Sequence, residues 1–167
     1  MDENFFNRGE TIEQFIDDMQ NNRDVFELLL SESRIDQVTI GRLPDGLNVM
    51  VIAEDWSGDV LYNVPVLIRM ARDKGWNVRI FRRDQFPELI LPYRKDGLYH
   101  SIPVFVFYDE DFNELGNWIE RPSAATSLID EESLKLRRRL REEHKDEWRR
   151  QTINEITNLL KTNKKRR

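Results

Sequence analysis

The feature that most constrains this chain is an almost continuous apolar run, Leu47-Asn48-Val49-Met50-Val51-Ile52-Ala53. It is short and β-branched, which reads as a central strand covered on both faces. It runs straight into Glu54-Asp55-Trp56-Ser57-Gly58-Asp59-Val60, after which Leu61, Val64, Val66, Leu67 and Met70 recur at helical spacing up to a Lys74-Gly75 stop. Pro65 falls inside that helix, where it removes a backbone hydrogen bond. Trp76 to Phe81 reads as a second strand, parallel to the first after the helical crossover, which completes a βαβ unit.

The flanks extend this unit. Thr11 with Gln14 fits a capping box and opens a helix to about Asn21, and Val25, Phe26, Leu28, Leu29 and Leu30 make another before the Ser31–Ser33 break. Arg42 to Gly46 is a turn by its Pro and Asp-Gly content. Phe86-Pro87-Glu88 is expected to start a short helix, Pro103 to Tyr108 to form a strand, and Glu114 to Ile119 to form its hairpin partner. The core order is then β-α-β-α-β-β. From Pro122 onward a charged helix carries Leu134, Leu136, Leu140, Trp148, Ile153, Ile156, Leu159 and Leu160, with opposite charges four apart at Glu131/Lys135, Arg138/Glu142 and Asp146/Arg150. Three segments of one globular domain result: a helical extension over 1–46, a core over 47–121 and a C-terminal helical segment with a basic tail over 122–167.

Composition narrows the function. The chain has no cysteine and two histidines, His100 and His144, so disulfides and thiolate metal sites are excluded and neither a metal nor a cofactor is expected. No apolar stretch approaches the roughly 20 residues that span a bilayer, and Met1 to Glu10 lacks a signal-peptide core, which points to the cytoplasm with no membrane role. Net charge is −5, but residues 1–134 hold 13 Lys/Arg against 26 Asp/Glu while residues 135–167 hold 13 against 5. The basic segment is expected to meet the acidic body of its own chain, or solvent, before any nucleic acid. Lys164-Lys165-Arg166-Arg167 offers weak, salt-labile phosphate contact at best, and no specific nucleic-acid motif is present.

The sequence Trp56-Ser57-Gly58-Asp59-Val60 after a buried strand, with Pro65 five residues on, Ile102-Pro103 before a later strand and Gly116 in its hairpin partner, resembles thioredoxin over residues 47–121. It is similar, more closely, to a bacterial thioredoxin-like family whose turn reads Trp-Cys-Gly-Asp, with Arg83-Asp84, Ser101-Ile102-Pro103, Trp118 and Arg121-Pro122 matching further motifs. The resemblance implies an α/β thioredoxin fold, a central mixed sheet flanked by helices, with an N-terminal helical extension and a long C-terminal helix. It implies a cis bond before Pro103. It also implies a redox site that this chain has lost: Ser57 stands at the nucleophilic cysteine, Val60 at the resolving one and Val51 at the buried acid.

Thiol exchange needs a thiolate at a helix N-terminus and a second thiol one turn on to resolve the mixed disulfide. Ser57 keeps the place without the nucleophile. A serine hydrolase would need a base within reach, and His100, oriented by Asp55 or Asp59, is the candidate. No Gly-x-Ser-x-Gly elbow accompanies it, and the simpler reading makes Ser57 a helix N-cap with Asp59 in the favourable first turn.

A peptide-binding surface remains. The resemblance implies that the backbone before Pro103 pairs with an extended partner segment and that Trp56 packs against it, so Trp56, Ile102 and Pro103 are the binding candidates; alternatively they only complete the fold. Asp55 and Asp59, with Glu54 behind, would favour a basic segment. The apolar stripe from Leu134 to Leu160 packs on the body or pairs with a second copy to make a homo-oligomer. The preferred function is a cysteine-less binding or adaptor module for a protein or peptide. The alternative is a monothiol redox protein whose position 57 is Ser by natural loss or engineered replacement.

Overall fold

Asn48–Ala53 forms β1, and every residue from Val49 to Ala53 is buried. Such a strand needs a neighbour on each edge and a layer on each face. Its edges are taken by β2 (Asn77–Arg82), which runs parallel from Asn48↔Asn77 to Ala53↔Arg82, and by β3 (Val104–Tyr108), antiparallel from Asn48↔Tyr108 to Ile52↔Val104. A hairpin joins β3 to β4 (Glu114–Ile119), and the four-stranded order is β2-β1-β3-β4. The mixed sheet with its helices is the α/β thioredoxin-like architecture. The computed structural model describes residues 1–129 and 134–164. The expected Glu131/Lys135 pair and the end of the basic tail lie outside those residues.

The helices fall as α1 (Glu3–Phe6), α2 (Ile12–Asp17), α3 (Arg23–Glu32), α4 (Gln37–Ile40), α5 (Gly58–Lys74), α6 (Ser123–Ile129) and the 31-residue α7 (Leu134–Lys164). The Thr11/Gln14 capping box is present at α2. That helix stops at Asp17 rather than near Asn21, because the N–H groups of Gln20 and Asn21 turn to the Asp55 carboxylate at 2.7 and 3.0 Å. α5 ends where Gly75 takes φ +64°, a left-handed conformation that costs glycine nothing.

Two expectations need correction. The segment after β2 forms turns and only a 3-10 helix at Leu91–Tyr93. Pro87 and Pro92 each remove a backbone donor, and the Phe86 ring is drawn edge-on against Phe81 and Phe5, at 5.2 and 6.3 Å between centroids. Among the described residues the C-terminal segment is helical over Ser123–Ile129 and Leu134–Lys164, and two of its ion pairs sit one residue from those expected, at Arg139/Glu143 and Arg149/Asp146.

Each sheet face is closed differently. On one, Phe5 stacks on Phe81 with centroids 5.5 Å apart and Phe6 meets Phe112 at 5.2 Å, so α1 and the 86–93 segment cover Met50, Ile52 and Phe81. On the other, Phe105 stacks on Trp118 at 5.1 Å and the Trp118 indole N–H donates to Glu155 on α7 at 2.7 Å. α7 packs along α5 and β4, α3 along α5. Of the expected stripe, Trp148, Ile153, Ile156 and Leu160 are buried and Leu140 packs against Ala125, Ile129 and Trp148, while Leu134 is 77% exposed, so the stripe engages from Leu140 onward. The charge split becomes contact here: Lys145 pairs with Glu32 at 3.1 Å, the Tyr62 hydroxyl donates to Glu142 at 3.0 Å and Arg149 donates to the Glu32 carbonyl at 3.1 Å.

α7 can approach β4 only because residue 116 has no side chain. A Cβ there would stand 2.8 Å from Leu159 Cδ1, and Gly116 already sits at φ +153°. Gly116→Ala is expected to loosen α7 from the sheet and lower stability by about 1–3 kcal/mol in urea unfolding. Leu159→Ala in the same chain should recover part of that loss; an additive double variant would show that the Leu159 contact is not the cause.

Candidate functional site

The turn between β1 and α5 is built by three anchors. Ser57 is the N-cap of α5, and its hydroxyl accepts the Val60 N–H at 3.4 Å. It is buried, as Val60 is. One residue earlier, Asp55 is also buried and is held from outside the turn: Oδ2 accepts the backbone N–H groups of Gln20 and Asn21, and Oδ1 accepts the Asn21 side-chain amide at 3.0 Å. Burial alone would push the Asp55 carboxyl up, but the bonds from Asn21 and Gln20 outweigh it and hold the group below its ordinary value.

The third anchor is Asp59. Its Oδ2 accepts from Arg121 at 2.8 Å, and Arg141 donates to both carboxylate oxygens at 3.2 Å. All three side chains are buried. Arg121 follows β4 and Arg141 belongs to α7, so one carboxylate at the helix start ties the sheet and the C-terminal helix to the turn. Asn63, one turn on, donates to the carbonyls of Asp59 and Glu120 at 2.9 and 3.2 Å, and Thr152 on α7 lies 2.9 Å from its Oδ1. The Arg141 guanidinium also lies over Gly58: a Cβ there would stand 2.9 Å from it.

Trp56 points the other way. It is 49% exposed, and the Arg83 guanidinium stands 4.9 Å above its ring centroid. Arg83 also donates to the His100 carbonyl at 3.3 Å, which links the Trp56 side of the turn to the 100–103 loop. The Ile102–Pro103 peptide bond is cis. Both side chains are buried, but the backbone N–H and C=O of Ile102 meet no partner among the described residues. Trp56 is therefore exposed and linked through Arg83 to the 100–103 loop, while Ser57, Asp59 and Val60 are buried.

The hydrolase reading does not hold. The Ser57 hydroxyl is engaged with the Val60 N–H, the His100 side chain makes no hydrogen bond or ion pair among the described residues, and both proposed orienters are committed, Asp55 to residues 20–21 and Asp59 to two arginines. The same commitments remove Asp55 and Asp59 as charges for a partner. Arg141 is the residue that sequence reading missed. A buried arginine in a helix dense with charge has no signature of its own, since only tertiary packing singles it out from Arg137, Arg138 and Arg139.

A sequence profile described as thioredoxin matches residues 9–149. This chain belongs to the thioredoxin family. Among solved structures, the family fold recurs in a protein of unknown function, PA1234, from Pseudomonas aeruginosa, with a TM-score of 0.72 and 17% identity over 94% of this chain and 95% of that one. An HIV 4E10 epitope-scaffold is similar with a TM-score of 0.73 and 18% identity, covering 95% and 96% of the two chains. No curated protein matches the sequence. Within that fold the chain has no cysteine, and the turn before α5 is capped by Ser57. No helix among the described residues is long and apolar enough to cross a membrane.

Two outcomes follow. Asp59→Ala takes the carboxylate from the buried Arg141 and leaves Arg121 with Glu120, and is expected to cost about 3 kcal/mol in urea unfolding; a loss below about 1 kcal/mol would mean that the network is structurally idle. Asp55 has a depressed carboxyl in the fold, so its contribution is present above the unfolded value of about 3.9 and is lost as pH falls through the folded value. Asp55→Asn should flatten the acid limb of a stability-against-pH curve below about pH 4. An unchanged limb would assign acid lability to other groups.

Proposed function

We propose that this chain is a thioredoxin-fold binding module that holds an extended protein or peptide segment without thiol chemistry. The observation that carries it is the exposed Trp56 beneath Arg83, which donates to the His100 carbonyl two residues before Ile102, whose backbone N–H and C=O meet no partner among the described residues. An extended segment laid along Ile102 gains main-chain hydrogen bonds that water otherwise supplies, and the indole adds apolar area at small entropic cost. The turn that would perform exchange is instead a cap and an ion-paired anchor, so it acts as scaffold for the groove.

One observation favours a second reading, the monothiol redox protein. A cysteine at position 57 would sit at the start of a 17-residue helix with Arg141 packed on the next residue, and both features depress a thiol pKa. The two readings separate cleanly. Because the Ile102 side chain is buried, a charge there would test folding, and the exposed Trp56 is the better probe.

Trp56→Ala is expected to abolish capture of partners from cell lysate with the melting temperature nearly unchanged, and Ser57→Cys to capture the same partners with or without reductant. Partners held only by Ser57→Cys and released by reductant would establish the monothiol protein in its place.

A further inference from the structure

The ends of β1 and β2 and the start of β3 lie at one end of the sheet, since Ala53 pairs with Arg82 and Ile52 with Val104. Trp56 follows β1 by three residues, Arg83 follows β2 directly and His100 precedes β3 by four. One side chain joins all three. The Arg83 guanidinium stands 4.9 Å above the Trp56 ring centroid, and its Nη1 donates to the His100 carbonyl at 3.3 Å. Nε and Nη2 donate to one oxygen of Asp84 at 3.0 and 2.9 Å.

The root of that side chain is tied to β1 as well. The Arg83 N–H donates to the Ala53 carbonyl at 3.4 Å, and the Asp84 N–H donates to Oε1 of the buried Glu54 at 2.9 Å. A bond to a desolvated carboxylate is stronger than one between neutral groups, so Glu54 fixes where the 83–84 backbone leaves β2. The Arg83 side chain is only 24% exposed, although the Trp56 and His100 it reaches are both exposed. What it braces is therefore the mutual placement of two surface groups rather than the core. Only a planar fork can serve two acceptors while its face lies on a ring; an ammonium group cannot.

We infer that Arg83 is the positioning residue of the binding surface, setting the Trp56 indole against the loop that leads to Ile102 before a segment arrives. The inference rests on the peptide-binding reading and adds how that surface is held ready. An exposed indole left free to change rotamer, beside a loop left untied, must be ordered when a segment binds, and that ordering weakens affinity. The brace removes this cost in advance.

The brace is tested first without a partner. Trp76, Trp118 and Trp148 are buried, so acrylamide quenching of tryptophan emission in the native protein reports Trp56. Arg83→Met, which keeps much of the stem and removes the fork, is expected to raise the quenching constant while the melting temperature stays nearly unchanged. The second arm uses peptides selected from a displayed random library on the native protein and dependent on Trp56. Arg83→Met should weaken their binding on the order of tenfold. Arg83→Lys, which keeps the charge without the fork, should recover little of that loss. An unchanged quenching constant, Trp56-dependent peptides indifferent to Arg83→Met, or native affinity in Arg83→Lys would each overturn the positioning role and leave the peptide-binding reading standing. Failure to enrich any Trp56-dependent peptide would overturn that reading and this inference with it.

Discussion

The Asp59 carboxylate, held between Arg121 and Arg141, is the contact on which the arrangement of this molecule depends. It sits at the first turn of α5, where a negative charge already favours the helix dipole. From there it reaches the end of β4 through Arg121 and the C-terminal helix through Arg141. A buried carboxylate with a single cation is a marginal arrangement; with two, and with hydrogen bonds filling its lone pairs, removal of any member leaves charge stranded. The interaction therefore acts as a positional lock more than as a source of net stability. It explains why a 31-residue helix so rich in charge lies along the body.

That lock also defines what the turn can do. In a redox member of the fold the start of α5 is the reactive centre. In this chain the same place is filled by a cap at Ser57, an apolar Val60 and a guanidinium packed on Gly58. The electrostatics that would activate a thiol persist around a residue that has none to activate. What faces outward is Trp56 with Arg83 above it. The buried half of the turn holds the fold together, and on the proposed reading the exposed half is left for recognition.

The charge of the turn before α5 illustrates how proximity in sequence misleads. Glu54, Asp55 and Asp59 crowd one turn, and read along the chain they form an acidic rim. Folding consumes two of the three, Asp55 through the N–H groups of residues 20–21 and Asp59 through the arginines. Glu54 is committed in part, its Oε1 accepting the Asp84 N–H at 2.9 Å.

Much of the fold was legible in the chain. The Leu47–Ala53 run, the Ser57 cap, the Lys74-Gly75 stop, the Thr11/Gln14 box and the hairpin follow from periodicity and backbone preference, which act over a few residues and leave their mark in the order of residues. The absence of a thiol was likewise determined by sequence alone. The 86–93 segment was misread because two prolines and the pull of Phe86 toward Phe5 and Phe81 overrode a local helical start. Only the tertiary structure decided which arginine of α7 meets Asp59, which N–H groups hold Asp55 and which cation covers the exposed Trp56. The physical reason is that ion pairing and desolvation depend on distances through space, and residues 59 and 141 or 20 and 55 become neighbours only once the sheet and helices have packed.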